Sequence, residues 1–282
     1  MTAPAIETPH PRERGRYTPT VASLLRAELL RVRSRRFVKG AVIGLLAVMA
    51  LVASIHFAQT AKPDIGATHR PALRSDLPSE LLGVGLGVAV LAFVLGCTVG
   101  GADWSQKTMT ALLFWEPRRV RVFVVKLAAL LISLTAILIG AVLVWTVVNA
   151  LLVAVHGVAD VSYGSIAGDA AGYFCRAWLL VLVMGALAYG IASLARNTGA
   201  ALGVGFVYFA IVEFFVNALL PRFAQWTLSQ NVGALLTDGG LQTDRDGVAH
   251  AISILHGGLV LTVYAVVVCL VGLELFRRRD VT

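Results

Sequence analysis

The sequence predicts an all-α membrane protein with six transmembrane helices, an N-terminal amphipathic interfacial helix and a short cytoplasmic helix. Three observations predict this fold class. Of the 282 residues, 57% are hydrophobic and only 14% are charged, whereas soluble domains carry about 25% charged residues. Apolar segments of membrane-spanning length recur along the chain. Basic residues cluster at alternate ends of those segments, as they do in multi-pass membrane proteins.

Six apolar segments are long enough to cross a bilayer. A crossing helix takes about 20 apolar residues, because the hydrocarbon offers no hydrogen-bond partner to a backbone group outside the helix. The predicted crossings are 37–58, 81–100, 127–153, 175–195, 199–220 and 252–275. The third is longer than a straight crossing requires, so we expect it to tilt or to emerge from the bilayer. Together the six segments predict a transmembrane domain over 37–282.

The cationic residues predict the orientation of these helices. Lys and Arg concentrate on the cytoplasmic side of membrane proteins. With the N-terminus inside, most of the 24 basic residues fall on that side, which places both termini in the cytoplasm of a multi-pass protein of the plasma (cytoplasmic) membrane. The net charge of +8 then reflects topology. The basic residues are dispersed over membrane flanks, so no nucleic-acid partner is expected.

The residues before the first crossing divide into two parts. Residues 1–17 are rich in Pro, Thr, Glu and Arg, which predicts a disordered cytoplasmic tail. Residues 18–36 begin with a Thr-Pro helix-start signal and continue with apolar residues at helical spacing among arginines. This pattern predicts an amphipathic interfacial helix with its arginines at anionic headgroups. The alternative is a basic flank that only sets topology.

Pairs of glycines recur inside the predicted crossings. Gly83/Gly87, Gly96/Gly100 and Gly199/Gly203 all have the GxxxG spacing, which lets two helix backbones approach closely. The run GVGLG at 83–87 lies inside a predicted helix rather than after a strand, so it does not indicate a dinucleotide site. We therefore interpret these glycines as helix-packing positions.

The stretch 101–126, which we name the central segment, is a polar and basic island between two long apolar runs. Its first residues miss the phosphate-binding pattern GxxxxGK[ST] because Gln106 replaces the second glycine, and no strand precedes them. The sequence thus predicts no bound nucleotide or other cofactor. Asp103, interpreted as lying near a helix start, and Pro117, which stops a helix, predict one short amphipathic helix across the cytoplasmic mouth.

The central segment resembles that of a known family. Asp103, Lys107-Thr108, Leu112-Leu113, Pro117, Arg119 and Lys126 are similar to the pattern E-x-x-x-G-T … L-L … P-x-x-R … K of ABC-2 type transporter permeases. The stretch Leu24 to Arg36 is similar to the N-terminal elbow segment of that family, and the six-crossing topology is similar too. Two residues depart from the pattern: Asp103 stands for Glu, and Lys107 stands for Gly.

The resemblance implies the transmembrane permease subunit of an ATP-driven exporter. A separate cytosolic ATPase subunit would bind ATP-Mg and dock on the central segment through a coupling helix, and two permease subunits would frame the pathway as a homodimer or heterodimer. The chain itself would not be an enzyme. The predicted ATPase-coupling residues are Asp103, Trp104, Lys107, Thr108, Leu112, Leu113, Phe114, Trp115, Glu116, Pro117, Arg118 and Arg119. A topology-setting flank is the alternative for the arginines, and also for Arg121 and Lys126.

Two other regions contain candidate functional residues. Glu213 is an acid inside an apolar run, which indicates either a substrate or proton role or a structural role near the outer interface. The outer loop 221–251 begins as an amphipathic stretch and continues as a turn region. Phe223 and Trp226 are candidates there for an outer gate or an interfacial anchor. His250 and His256 have no ligand partners at helical spacing, so no metal is predicted.

Two further classes of function are compatible with these patterns. One is a non-transporting membrane protein whose basic loop recruits a cytosolic partner. The other is a secondary transporter, against which the single intramembrane acid and the lack of a clear inverted repeat both argue. A copurifying ATPase would favour the exporter over either alternative.

Overall fold

A computed structural model describes residues 20–61, 77–109, 114, 118–156, 163–237, 239–243 and 249–278. The predicted tail, 1–17, lies outside the described residues. Over these residues the fold is all-α apart from one short hairpin. Its helices are α1 (Val21–Ser34), α2 (Arg36–Ala61), α3 (Leu77–Ser105), α4 (Arg119–His156), α5 (Tyr163–Ala195), α6 (Thr198–Val207), α7 (Glu213–Leu219), α8 (Pro221–Ala224), α9 (Leu228–Leu236) and α10 (Ile254–Arg278). The hairpin strands are β1 (Gly240–Thr243) and β2 (Ala249–Ile252).

Among the described residues, five helical segments are long and apolar enough to cross a membrane. They are Glu80–Ser105, Arg119–Leu151, Ala167–Ala195, Thr198–Leu219 and Ile254–Arg278. The chain is thus a multi-pass membrane protein, as its composition predicts. The first predicted crossing, 37–58, falls within α2 and is not one of these five, so the count of six crossings stays a prediction.

The helices extend beyond the apolar segments that predicted them. α4 contains 38 residues, which at 1.5 Å per residue is roughly 57 Å, against a hydrocarbon thickness of about 30 Å. α5 begins at Tyr163, twelve residues before the predicted crossing that starts at 175. An apolar run marks the part of a helix that suits lipid, whereas backbone hydrogen bonds continue the helix into polar sequence.

The fifth predicted crossing is a continuous helix with a change of winding. α6 passes into a π-helical turn over Tyr208–Val212 and then into α7. A π-helical turn shifts the register of the helix surface, and such turns occur frequently at functional sites. Here it places the Glu213 side chain at the start of α7, where only 3% of the residue is exposed.

The described residues of the loop 221–251 contain more regular structure than the sequence predicts. Its amphipathic first half forms α8 and α9, and α9 buries Leu228, Asn231 and Leu235 on one face. β1 and β2 then pair antiparallel, with Gly240 opposite Ile252. The sequence does not predict these strands, because four residues are too few to establish an alternating pattern.

α3 and α5 form the centre of the bundle, and small residues allow their close contact. A Cβ atom built on Gly100 would lie 2.7 Å from the Tyr189 carbonyl oxygen and 3.0 Å from the Ala192 Cβ. Gly96 is similarly close to α5. At Gly83 and Gly203 nothing among the described residues lies within 4 Å of a Cβ, so these two glycines make no close helix contact within the described part of the chain.

The α3–α5 contact predicts a position-specific cost for adding one methyl group. We expect Gly100→Ala to destabilise the protein by roughly 1–3 kcal/mol, because the new Cβ overpacks the contact. Gly83→Ala, in the same helix, should be neutral or stabilising by up to about 1 kcal/mol, because alanine favours the helix. Thermal unfolding of the purified chain in detergent measures both. Equal effects of the two variants would contradict the close contact.

Candidate functional site

The structure corrects the predicted beginning of the short cytoplasmic helix. Asp103 and Trp104 lie in the last turn of α3, which ends at Ser105, and not near a helix start. The helix continues past the glycines at 100 and 101 because these fit against α5 and against Thr198. A carboxylate at the C-terminal end of a helix meets the negative end of the helix dipole. Asp103 therefore needs cations nearby.

α3 ends in a Schellman motif centred on Lys107. The Thr108 N–H donates to the Asp103 carbonyl at 2.9 Å, and the Lys107 N–H donates to the Trp104 carbonyl at 3.1 Å. Lys107 has φ of 57°, the left-handed conformation that this motif usually assigns to glycine. The ABC-2 pattern has Gly at this position. Lys107 therefore has a side chain at a position whose left-handed backbone conformation favours glycine.

The rest of the central segment is only partly described. Leu112, Leu113, Trp115, Glu116 and Pro117 lie outside the described residues. Met109 and Phe114 have helical geometry; Met109 is buried, whereas 83% of Phe114 is exposed. Lys107, Thr108 and Arg118 are also exposed, and Arg119 is half-buried.

A buried ion cluster joins both ends of the central segment to the first helices. The Lys126 ammonium on α4 donates to Asp103 Oδ2. The Arg35 guanidinium lies 3.4 Å from Asp103 Oδ1 and donates to the Thr98 carbonyl at 3.2 Å. Asp103 is 6% exposed and Lys126 is 3% exposed. One carboxylate therefore holds two cations that belong to two different parts of the chain.

The position of Arg35 depends on a break in the helix. Arg35 has extended backbone angles and separates α1 from α2, so its side chain leaves the helical surface and reaches the end of α3. Glu28, about two turns earlier on α1, is also buried and accepts a hydrogen bond from Arg31 at 2.6 Å. Burial lowers the pKa of Arg35 from its usual value, with the charge of Arg31 as the next cause.

The ion cluster offsets the free-energy cost of burying its charged groups. Each buried charge loses its hydration, and removal of one partner from a buried ion pair costs about 3–5 kcal/mol because the other charge stays uncompensated. Asp103 has the further disadvantage of its place at a helix C-terminus. The charges of Lys126 and Arg35 offset both the lost hydration of the Asp103 carboxylate and its unfavourable interaction with the helix dipole. The geometry thus requires α3, α4 and the α1–α2 junction to remain together.

The cluster was not predicted from the sequence. A flank that only sets topology was one interpretation of Lys126, and the burial of its side chain against Asp103 argues against it. Asp103 and Lys126 are the first and last charged residues of the central segment, and they are also the ends of the quoted family pattern. A lysine between Val125 and Leu127 was a further signal, since a cation among apolar residues needs a partner.

Trp104 faces the helix bundle. Its ring lies edge-on to Phe276 of α10 at 5.9 Å, and the Arg196 guanidinium lies over it at 4.6 Å. Phe123 of α4 extends this cluster to Phe276, and the Tyr189 hydroxyl donates to the Phe123 carbonyl at 3.0 Å. Arg119 Nη1 also donates to the Arg277 carbonyl at 3.4 Å. Trp104 and Arg119 thus connect the central segment to the last helix.

Glu213 makes a structural contact on the other side of the bundle. Its Oε1 accepts a hydrogen bond from the Ser229 backbone N–H at 3.0 Å, at the first turn of α9. A carboxylate there satisfies a free N–H group and meets the positive end of the helix dipole. Glu213 therefore ties the loop helix α9 to the membrane helix α7. This contact favours the structural role over the proton or substrate role.

The gate candidates lie beside the same loop. Phe223 is 57% exposed and Trp226 is 46% exposed. The Trp226 ring lies 5.3 Å from the His256 ring, and the Tyr264 hydroxyl donates to the Trp226 carbonyl at 2.8 Å. Among the described residues, no group of three His, Cys, Asp or Glu side chains could hold a metal.

The Schellman motif predicts that Lys107→Gly stabilises the protein. A residue with a Cβ pays roughly 1–2 kcal/mol in the left-handed conformation, and glycine avoids this cost. Lys39→Gly is the matched control, since the same exchange at a right-handed helical position near the start of α2 should destabilise by up to about 1 kcal/mol. Thermal unfolding of both variants measures the difference. Destabilisation by Lys107→Gly would contradict the assigned backbone conformation.

Comparison with known proteins identifies a family. A comparison with curated proteins finds no match. A family model described as "Protein of unknown function (DUF2705)" matches residues 76–282. The match covers most of the chain and includes Asp103 and Lys126, while α1 and Arg35 precede it. The chain belongs to this family of unknown function, DUF2705.

Proposed function

We propose that the chain is the transmembrane permease subunit of an ATP-driven ABC exporter. It forms the substrate pathway as a dimer and couples to a separate cytosolic ATPase subunit through the central segment. The observation that carries this proposal is the buried pair of Asp103 and Lys126, which closes the base of that segment. The family description names no transporter, so the ABC-2 resemblance rests on the quoted residues.

The ion pair supports coupling because it makes the base of the segment rigid. A partner can move membrane helices only through a contiguous and stiff connection. Asp103 is on α3 and Lys126 is on α4, so a displacement of the central segment acts on both helices. Trp104 and Arg119 extend the connection to α10 through Phe276 and Arg277.

The proposed partner surface lies between these anchors. Phe114 is an exposed aromatic residue with Lys107, Thr108 and Arg118 also exposed in the same segment. Buried aromatic anchors surrounded by charged groups are typical of protein interfaces. We propose that Leu112, Leu113, Phe114 and Trp115 fill a groove on the ATPase. Glu116 and Arg118 would set its register, whereas Asp103 and Trp104 act from inside the bundle.

The same proposal includes six crossings, with α2 as the first, and both termini in the cytoplasm. Support for an interfacial elbow helix comes from α1, which buries Glu28 while Val21 and Leu30 are 55% and 58% exposed. An apolar surface of this kind suits the acyl boundary of a bilayer. At the outer side, Phe223 and Trp226 are proposed gate residues held in place by the contact of Glu213 with α9.

Charge reversal within the central segment should weaken ATPase association. We expect Glu116→Lys with Arg118→Glu to reduce copurification of the cognate ATPase at least tenfold, because like charges would then face each other across the interface. Arg118 suits this test better than Arg119, whose side chain bonds to the Arg277 carbonyl. ATPase activity in lipid vesicles should lose its dependence on the permease in parallel.

Arg222→Glu is the control, since Arg222 is exposed in the loop at the opposite end of the bundle. It should leave copurification unchanged. Unchanged ATPase association in the central-segment variant would contradict the docking role. Failure of the wild-type chain to associate with any ATPase would favour the non-transporting protein or the secondary transporter.

A further inference from the structure

A basic cavity lies between the α1–α2 junction and the C-terminal end of α3. Its volume is ≈ 670 Å³, within the range of sites that hold small ligands. Arg31, Arg35 and Arg36 line one side, and Thr98, Gln106 and Thr108 are among the residues of the other. The cavity shares Thr108 with the proposed ATPase surface and Asp103 with the ion cluster, but its arginines have no role in the proposed docking.

The charges around the cavity do not balance. Arg31, Arg35, Arg36 and Lys126 supply four cations, and Glu28 and Asp103 supply two carboxylates. Asp103 is engaged by Lys126 and Arg35, and Glu28 by Arg31. The charge of Arg31 contributes to the lowered pKa of Arg35, so these two guanidinium groups lie close enough to repel each other. An anion between them would relieve that repulsion.

The arginines also retain hydrogen-bonding capacity. Each guanidinium has five N–H donors, and the bonds among the described residues engage one of them on Arg31 and two on Arg35. Arg31 keeps 42% of its side chain exposed, and Arg35 keeps 19%. Forked N–H donors match the oxygens of a phosphate group.

The surroundings of the cavity indicate that a phosphate group bound there would belong to a lipid. Phe37 lines it, begins the apolar part of α2 and is 50% exposed. Ile43 and Val48, farther along α2, are 66% and 59% exposed. The cavity therefore lies where a polar, arginine-lined region meets an apolar helix surface. A phospholipid presents the same sequence of groups, with its phosphate above its acyl chains.

We propose that this cavity binds the phosphate of an anionic phospholipid through Arg31, Arg35 and Arg36. The acyl chains lie along the exposed apolar surface of α2. Because the site shares Arg35 and Asp103 with the ion cluster, a bound lipid stabilises the junction of α1 and α2 against the end of α3.

Native mass spectrometry of the purified full chain, delipidated in detergent and titrated with phosphatidylglycerol, tests this site. We expect one tightly bound phosphatidylglycerol and much weaker binding of phosphatidylcholine. Arg36→Gln and Arg31→Gln should each weaken binding about fivefold, since one cation near a lipid surface contributes about that factor. Arg36→Lys should keep most of the affinity.

Arg33→Gln and Lys39→Gln are matched controls, because both residues are exposed on the same two helices but do not line the cavity. They should leave the tight site unchanged. Equal weakening by the controls would overturn the proposal in favour of diffuse surface charge. Displacement of the lipid by an equal concentration of inorganic phosphate would also overturn it, because the site would then hold a free anion. Thermal unfolding without lipid checks that every variant is folded.

Discussion

The arrangement of the helices at one end of the bundle depends on how the Asp103 carboxylate is neutralised. This acid lies at the C-terminal end of α3, is almost fully buried and meets the negative end of the helix dipole. Lys126 and Arg35 together compensate both its burial and its unfavourable interaction with the helix dipole. Their positions then determine that α4 begins beside the end of α3 and that the chain must break its helix at Arg35.

Other features of this end follow from the same requirement. The left-handed Lys107 ends α3 four residues after Asp103, so the helix stops just beyond the buried acid. Trp104, the next residue, contacts Phe276 and Arg196, which adds the ends of α10 and α5. The described part of the central segment therefore has a firmly held base and one exposed aromatic residue, Phe114, which are properties that a coupling element requires.

The long helices were predictable from sequence, whereas the site was predictable only in part. An apolar run determines that a segment forms a helix, because backbone groups in lipid must pair internally. It carries little information about where the helix ends, as Tyr163 of α5 and Ser105 of α3 illustrate. Glu213 and Lys126 were visible as charges among apolar residues. Their partners, Ser229 N–H and Asp103, are set by tertiary packing and by a loop helix whose position no periodicity specifies.

A double-mutant cycle on the free energy of unfolding tests the central claim most directly. Asp103→Asn should cost about 3–5 kcal/mol, since it leaves Lys126 buried without its carboxylate, and Lys126→Met should cost somewhat less, since it leaves Asp103 with the Arg35 guanidinium alone. The double variant removes both charges, so the account predicts a cost well below the sum of the two single costs, with a coupling of roughly 2 kcal/mol or more. Additive costs would contradict it, because they would mean that the two side chains do not interact.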